Sequence, residues 1–145
     1  MTARPRVRPE KPRGTKDIAL LCMAAARRKK ALDLLLLDVG ALSGYADYFL
    51  LASGRSTRQA GAIAEGVQQV LKKAGIKPLG QDGVKEGRWA LIDFGDVVVH
   101  VFHQPVREFY DLESLWADAP RVEVDEALLD GLLPPEEEHH PGQLP

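Results

Sequence analysis

Residues 87–116, GRWALIDFGDVVVHVFHQPVREFYDLESLW, decide the fold. Two runs of β-branched and aromatic residues, 89–94 and 97–102, are separated only by Gly95-Asp96, and glycine at the first central position marks a type II′ hairpin. With Phe94 opposite Val97, Ile92 pairs with Val99 and Ala90 with Val101. Ala90, Ile92, Phe94, Val97, Val99 and Val101 then share one apolar face, which must be core. The other face pairs Trp89 with Phe102, Leu91 with His100 and Asp93 with Val98. Large apolar groups beside an imidazole and a carboxylate suit a face half covered by a helix or offered to a partner.

Outward from the hairpin, Gln104-Pro105 predicts a helix start, because proline at the first helical position gives up an N–H that would have had no partner. Val106, Phe109, Leu112, Leu115 and Trp116 recur at three- and four-residue spacing, with Arg107, Glu108, Asp111 and Glu113 on other faces. Such a stripe describes a terminal helix packed on a sheet, and aromatic anchors among charges also describe a docking surface.

Upstream, Thr15 is the expected N-cap of a helix carrying Ile18, Leu21, Cys22 and Ala25 on one stripe. Its end, Arg27 to Lys30, is basic, as the helix dipole favours. Residues 34–37, four leucines between Asp33 and Asp38, have the pattern of a central strand buried on both faces. Residues 47–53 are a second strand. Ser56 with Gln59 three residues on predicts a capping box, followed by a long helix ending at Gly75. Gly61 and Gly66 inside it imply close approach to the sheet. A short strand is expected within 77–81, then a polar loop to Trp89.

The 145 residues suit one α/β domain, a mixed sheet packed with helices, and 45% hydrophobic content is enough for a real core. No apolar run approaches the length of a membrane span and no signal-peptide core is present, which predicts a cytoplasmic protein. The single cysteine, Cys22, has no disulfide or metal-ligand companion. The net charge of −2 conceals an asymmetry of about +5 over residues 1–16 and −7 over 123–145. The domain is therefore expected at 15–120, between a basic disordered arm (1–14) and an acidic, proline-rich, disordered tail (121–145). The arm could touch RNA phosphates or simply stay solvated.

The residue inventory does not support catalysis, and neither a cofactor nor a metal is implied. Asp93 and Asp96 are three apart across a turn, not two apart on a strand as a metal-holding pair would be. His100 and His103 lack a third ligand. The turn Ser53-Gly54-Arg55-Ser56 lacks the spacing and lysine of a phosphate-binding loop.

Asp47-Tyr48-Phe49, Ala52-Ser53-Gly54, Ser56, Gln59, Gly83, Trp89, Asp93 to Asp96, Val99 to Phe102, Arg107, Tyr110, Leu112-Glu113 and Leu115-Trp116 form an ordered set. In that order and spacing, residues 15–118 resemble the ribosomal silencing factor, or Iojap-like, family. The arm, the tail and Asp82, where the family more often has Glu, depart from it. The resemblance implies a nucleotidyltransferase-like fold without the catalytic carboxylates. It also implies binding to the large ribosomal subunit through its fourteenth protein at the intersubunit face, obstruction of small-subunit joining, and homodimers off the ribosome for some members. The expected partner-binding residues are Trp89, Asp93, Asp96, His100, Arg107, Tyr110 and Glu113, with a secondary RNA contact by the arm. A nucleotide-binding or RNA-binding module of the same fold is the alternative.

Overall fold

The hairpin forms in the expected register: Trp89 lies opposite Phe102, Ala90 opposite Val101, Ile92 opposite Val99 and Asp93 opposite Val98. Gly95 takes a φ of 93° and Asp96 does not take a positive φ, as a type II′ turn requires. The computed structural model describes residues 14–134. In chain order its elements are α1 (Thr15–Arg28), β1 (Leu32–Asp38), β2 (Tyr48–Gly54), α2 (Thr57–Lys73), β3 (Gly80–Asp82), β4 (Trp89–Asp93), β5 (Val97–His103), α3 (Gln104–Tyr110), α4 (Leu112–Leu115) and α5 (Glu126–Leu132). The sheet order is β1-β2-β5-β4-β3. β2 and β5 run parallel and the other pairs antiparallel, so the sheet is mixed.

The apolar face of the hairpin packs under α1 and α2. Ala90, Ile92, Val97, Val99 and Val101 join Leu36, Leu50 and Ala52 against Cys22, Ala26, Ile63, Val67 and Leu71, all fully or almost fully buried. Burial pushes the Cys22 thiol far up from its ordinary pKa and leaves it inert. α2 opens as expected, with Ser56 Oγ accepting from the Gln59 N–H at 3.0 Å. The Gln59 side chain instead accepts from Arg55 N at 2.7 Å, one residue outside the usual box. α1 begins after Gly14, so Thr15 is its first residue and not its cap. The glycines of α2 do mark close approach, but to other neighbours than the sheet: a Cβ at Gly66 would press on the Lys29 side chain, and one at Gly61 on the Val84 carbonyl.

The leucine run lies in an edge strand, not a central one. β1 pairs only with β2 in the sheet, and the chain returns to cover its free side. Asp38 N–H donates to the Pro120 carbonyl (2.9 Å), Val122 N–H to the Leu36 carbonyl (2.8 Å), and Leu37 bridges Arg121. An edge sealed in this way needs the same two-faced burial as an interior strand, which is why the sequence pattern looked central.

The expected tail boundary at 121 is likewise corrected. Residues 121–134 are ordered against α1: Leu129 is buried in the core, Asp125 caps α5, Arg27 pairs with Asp130 (3.1 Å) and Glu126 (3.5 Å), and Arg28 Nη2 donates to the Pro134 carbonyl. Acidic composition read as disorder serves here to match the basic end of α1. Residues 1–13 and 135–145, with most of the basic arm and the end of the tail, lie outside the described residues. No helix among the described residues is long and apolar enough to cross a membrane.

Candidate functional site: an aromatic face held by a buried arginine

The second face of the sheet is only partly covered. Leu37, Phe49, Leu51, Val98 and Phe102 are buried there beneath Val106 of α3, Leu112 of α4, Trp116 and Ala119. Trp89 and Leu91 remain half exposed at its margin. The stripe predicted to bury as one helix is broken at Asp111, whose φ of 49° is left-handed, a conformation aspartate tolerates. Ser114 Oγ donates to Asp111 Oδ2 at 2.6 Å across the break. α4 restarts in a new direction, and Phe109 (80% exposed), Leu115 (76%) and Tyr110 (52%) face solvent while Val106, Leu112 and Trp116 face the sheet.

Tyr110 and Trp89 come together, their ring centres 4.9 Å apart. Trp89 lies equally close to Phe102, and Phe109 stands edge-on to Tyr110 at 5.0 Å. The Trp89 indole N–H donates to His100 Nδ1 at 3.1 Å, which assigns the imidazole as the neutral tautomer protonated on Nε2. That Nε2 is buried without a hydrogen-bond partner among the described residues, and burial holds the His100 pKa down to about 4. Phe49 meets His100 and Trp116 edge-on at 5.0 and 4.9 Å. A continuous aromatic array therefore joins the exposed Tyr110 to the middle of the sheet, stiffening the surface from beneath.

Arg107 anchors this arrangement from α3. Its side chain is 9% exposed and grips Glu113 of α4 with two bonds, Nε to Oε1 at 3.3 Å and Nη2 to Oε2 at 3.0 Å. Nη1 donates to Ser53 Oγ and to the Asp33 carbonyl, both at 2.8 Å. The second acceptor exists because Asp33 takes a φ of 48° and the β1–β2 register slips between Leu32 and Leu35, which turns a carbonyl out of the ladder. One guanidinium thus ties β1, β2, α3 and α4.

The expected partner-binding residues consequently fall into three places. Trp89 and Tyr110 share the exposed aromatic edge. His100 and Arg107 are interior, 5% and 7% exposed, and support that edge from within, with Glu113 half buried against Arg107. Asp93 lies on the Trp89 face but roughly 13 Å along the strand at about 3.3 Å per residue; its carboxylate is bound to Gly95 N–H at 2.8 Å. Asp96 is exposed at the hairpin tip. Phe109 and Leu115, which periodicity puts on one stripe with Val106, Leu112 and Trp116, are exposed because that periodicity ends at Asp111. Aspartate, which opens helices and tolerates a left-handed φ, is the local signal of the break.

A cleft at the C-terminal ends of β2 and β5 is lined by Asp33, Ser53, Gln104, Arg107, Glu108 and Asp111. Nucleotide phosphates would need free cations there. Arg107 has four of its donors engaged and the remaining charges are carboxylates, so the lining repels a polyphosphate. Among the described residues, no three His, Cys, Asp or Glu side chains gather as a metal set.

Comparison with known proteins identifies the family to which this fold belongs. The family model described as "Ribosomal silencing factor during starvation" matches residues 12–143. The chain is 44% identical over 110 residues to the ribosomal silencing factor RsfS of Bacillus subtilis, covering 76% of this chain and 93% of that one. It is 37% identical over 95 residues to the chloroplastic protein Iojap of Arabidopsis thaliana, covering 66% of this chain and 40% of that longer one. The crystal structure of a Chromobacterium violaceum protein superposes with a TM-score of 0.71 at 39% identity, covering 72% of this chain and 88% of that one. A matching fold, a family model spanning nearly the whole chain and relatives of this similarity together mean that the chain belongs to the ribosomal silencing factor family.

Proposed function

We propose that this protein binds the large ribosomal subunit through its fourteenth protein at the intersubunit face and blocks small-subunit joining by occupying that surface. The observation that carries the reading is the exposure of Phe109, Tyr110 and Leu115 on a rigid support, beside half-exposed Trp89 and ringed by Glu108, Asp111 and Glu113. Aromatic anchors in an acidic rim fit a basic ribosomal protein, the anchors supplying affinity and the rim orientation and rate. Asp93 and Asp96 extend the same negative border along the hairpin. Such an inhibitor needs position and affinity but no chemistry.

Sedimentation with separated subunits tests the proposal. Wild type is expected to travel with large subunits only and to reduce formation of joined ribosomes in proportion to occupancy. Tyr110→Ala and Phe109→Asp should weaken binding by about 1 to 4 kcal/mol with unchanged circular dichroism. Trp89→Ala is a poorer probe, since its indole also holds His100. Binding to large subunits without any effect on joining would sink the proposal at its central step.

A further inference from the structure

Cations that the sequence scatters over two segments meet where the loop before β4 crosses the first turn of α2, while the carboxylate-lined cleft opens on the other flank, beside α3. The Gln59 amide donates to the Lys30 carbonyl at 3.2 Å, which brings the end of α1 to the first turn of α2, where Arg55 and Arg58 lie. The loop before β4 is pressed onto that same turn. A Cβ at Gly87 would collide with the Thr57 carbonyl, and the His103 N–H donates to the Arg88 carbonyl at 2.9 Å. Arg55, Arg58, Lys85 and Arg88 are all exposed, and among the described residues none of them forms an ion pair. Glu86 is the one carboxylate carried on residues 55–58 and 85–88, and Asp33, Glu108 and Asp111 line the neighbouring cleft.

One feature separates this corner from an ordinary solvated surface. The helix dipole favours carboxylates in the first turn, yet α2 has none there and carries Arg55 and Arg58 around its positive end. A local preference broken without local compensation is expected at functional sites. The sequence run Arg27 to Lys30 is not part of the corner: Arg27 and Arg28 are engaged by α5 and the segment after it, and Lys30 lines a groove with Glu123 and Glu126, so that only its carbonyl meets α2.

We infer that Arg55, Arg58, Lys85 and Arg88 form a binding surface for the phosphate backbone of duplex RNA, flanking the aromatic face. Arg88 and Trp89 are neighbours whose side chains leave the extended chain on opposite faces, so RNA bordering the protein contact would meet the corner around the start of β4. Duplex is favoured over single strand because these segments carry no aromatic side chain on which unpaired bases could stack. The inference rests on the ribosome-binding proposal for its biological setting, but the surface is testable without it.

The test compares the full-length protein with the Arg55→Gln/Arg58→Gln/Arg88→Gln variant, both carrying the same N-terminal arm. Binding is measured over a salt series to a 20-base-pair RNA duplex, to a single-stranded RNA homopolymer, to polyglutamate and to large subunits. For the duplex, the slope of log affinity against log salt is expected to fall by roughly 2 to 3 in the variant, with affinity at least about tenfold weaker at low salt. Equal slopes for variant and wild type on the duplex would overturn the inference, as would equal or tighter binding to the homopolymer or to polyglutamate. Large-subunit binding with an unchanged slope would overturn the corner's role there while leaving the aromatic face standing. Duplex binding lost in the variant, with no large-subunit binding by wild type, would uphold the corner and refute the proposed function.

Discussion

Replacing Arg107 with alanine should be among the most damaging single changes to this fold. The substitution leaves Ser53 Oγ, fully buried, and the displaced Asp33 carbonyl without their donor, and it strands the Glu113 carboxylate. Breaking a buried ion pair from one side costs about 3 to 5 kcal/mol. Because Glu113 is 30% exposed and can recover water, the lower end applies, about 3 kcal/mol. For roughly 120 ordered residues at about 2.1 cal/mol/K each, that corresponds to a fall in Tm of about 12 °C. Urea unfolding followed by far-ultraviolet circular dichroism measures the loss. Arg107→Lys keeps the charge but not the fork and should lose about 2 kcal/mol; Glu113→Gln should lose about 1 kcal/mol, since an amide still accepts one bond. If Arg107→Ala unfolds within 1 kcal/mol of wild type, the guanidinium does not tie the four elements together.

Three further outcomes follow from the packing. His100 is neutral in the fold with its pKa near 4, while the unfolded chain takes up the proton near 6.5. Its contribution is therefore complete above pH 6.5 and is lost as pH falls to 4, by about 3 kcal/mol in total; the stability difference between wild type and His100→Gln should vary with pH across that window and be flat above it. Ending the chain after Pro120 removes α5 and its buried Leu129 and should destabilise the protein by about 3 kcal/mol or more in thermal melts, whereas an unchanged Tm would mean that α5 contributes nothing. Val99→Asp places an unpaired carboxylate at a fully buried position and should abolish cooperative folding; a soluble mutant with a sharp melt would contradict the observed register.

The parts of the fold that could be read in the sequence were those set by neighbours in the chain. A two-residue turn fixes hairpin register, and Ser56 with its downstream periodicity fixes the start of α2, because all the interacting groups lie within a few residues. What escaped was determined at long range. Nothing near Leu34 signals that residues 120–122 will seal its strand, and nothing near Asp130 signals Arg27, 103 positions away. Within the site, the sequence shows Trp89 and Tyr110 as large aromatic side chains, and the hairpin register puts Trp89 on the second face of the sheet. Arg107 and His100 were seen as candidate contacts because residue type reveals chemistry but not burial. Only the fold shows that they work from inside. The surface roles of Phe109 and Leu115 were hidden by one left-handed residue, Asp111, that periodicity does not register.

The strap over β1 also bears on how the protein is made. Until residues 119–122 leave the ribosome, the first strand presents an unpaired leucine-rich edge, and until residues 126–132 follow, α1 lacks the partner that covers its flank. The middle of the sheet waits as well, since β2 must hold a place for β5, about fifty residues downstream, before the core can close. At a synthesis rate of about 5 to 20 residues per second, the nascent chain spends several seconds with a template for intermolecular strand pairing exposed. A premature stop just short of Ala119 would make that interval permanent, yielding a chain with nearly every core residue and an open edge, prone to aggregate rather than merely inactive.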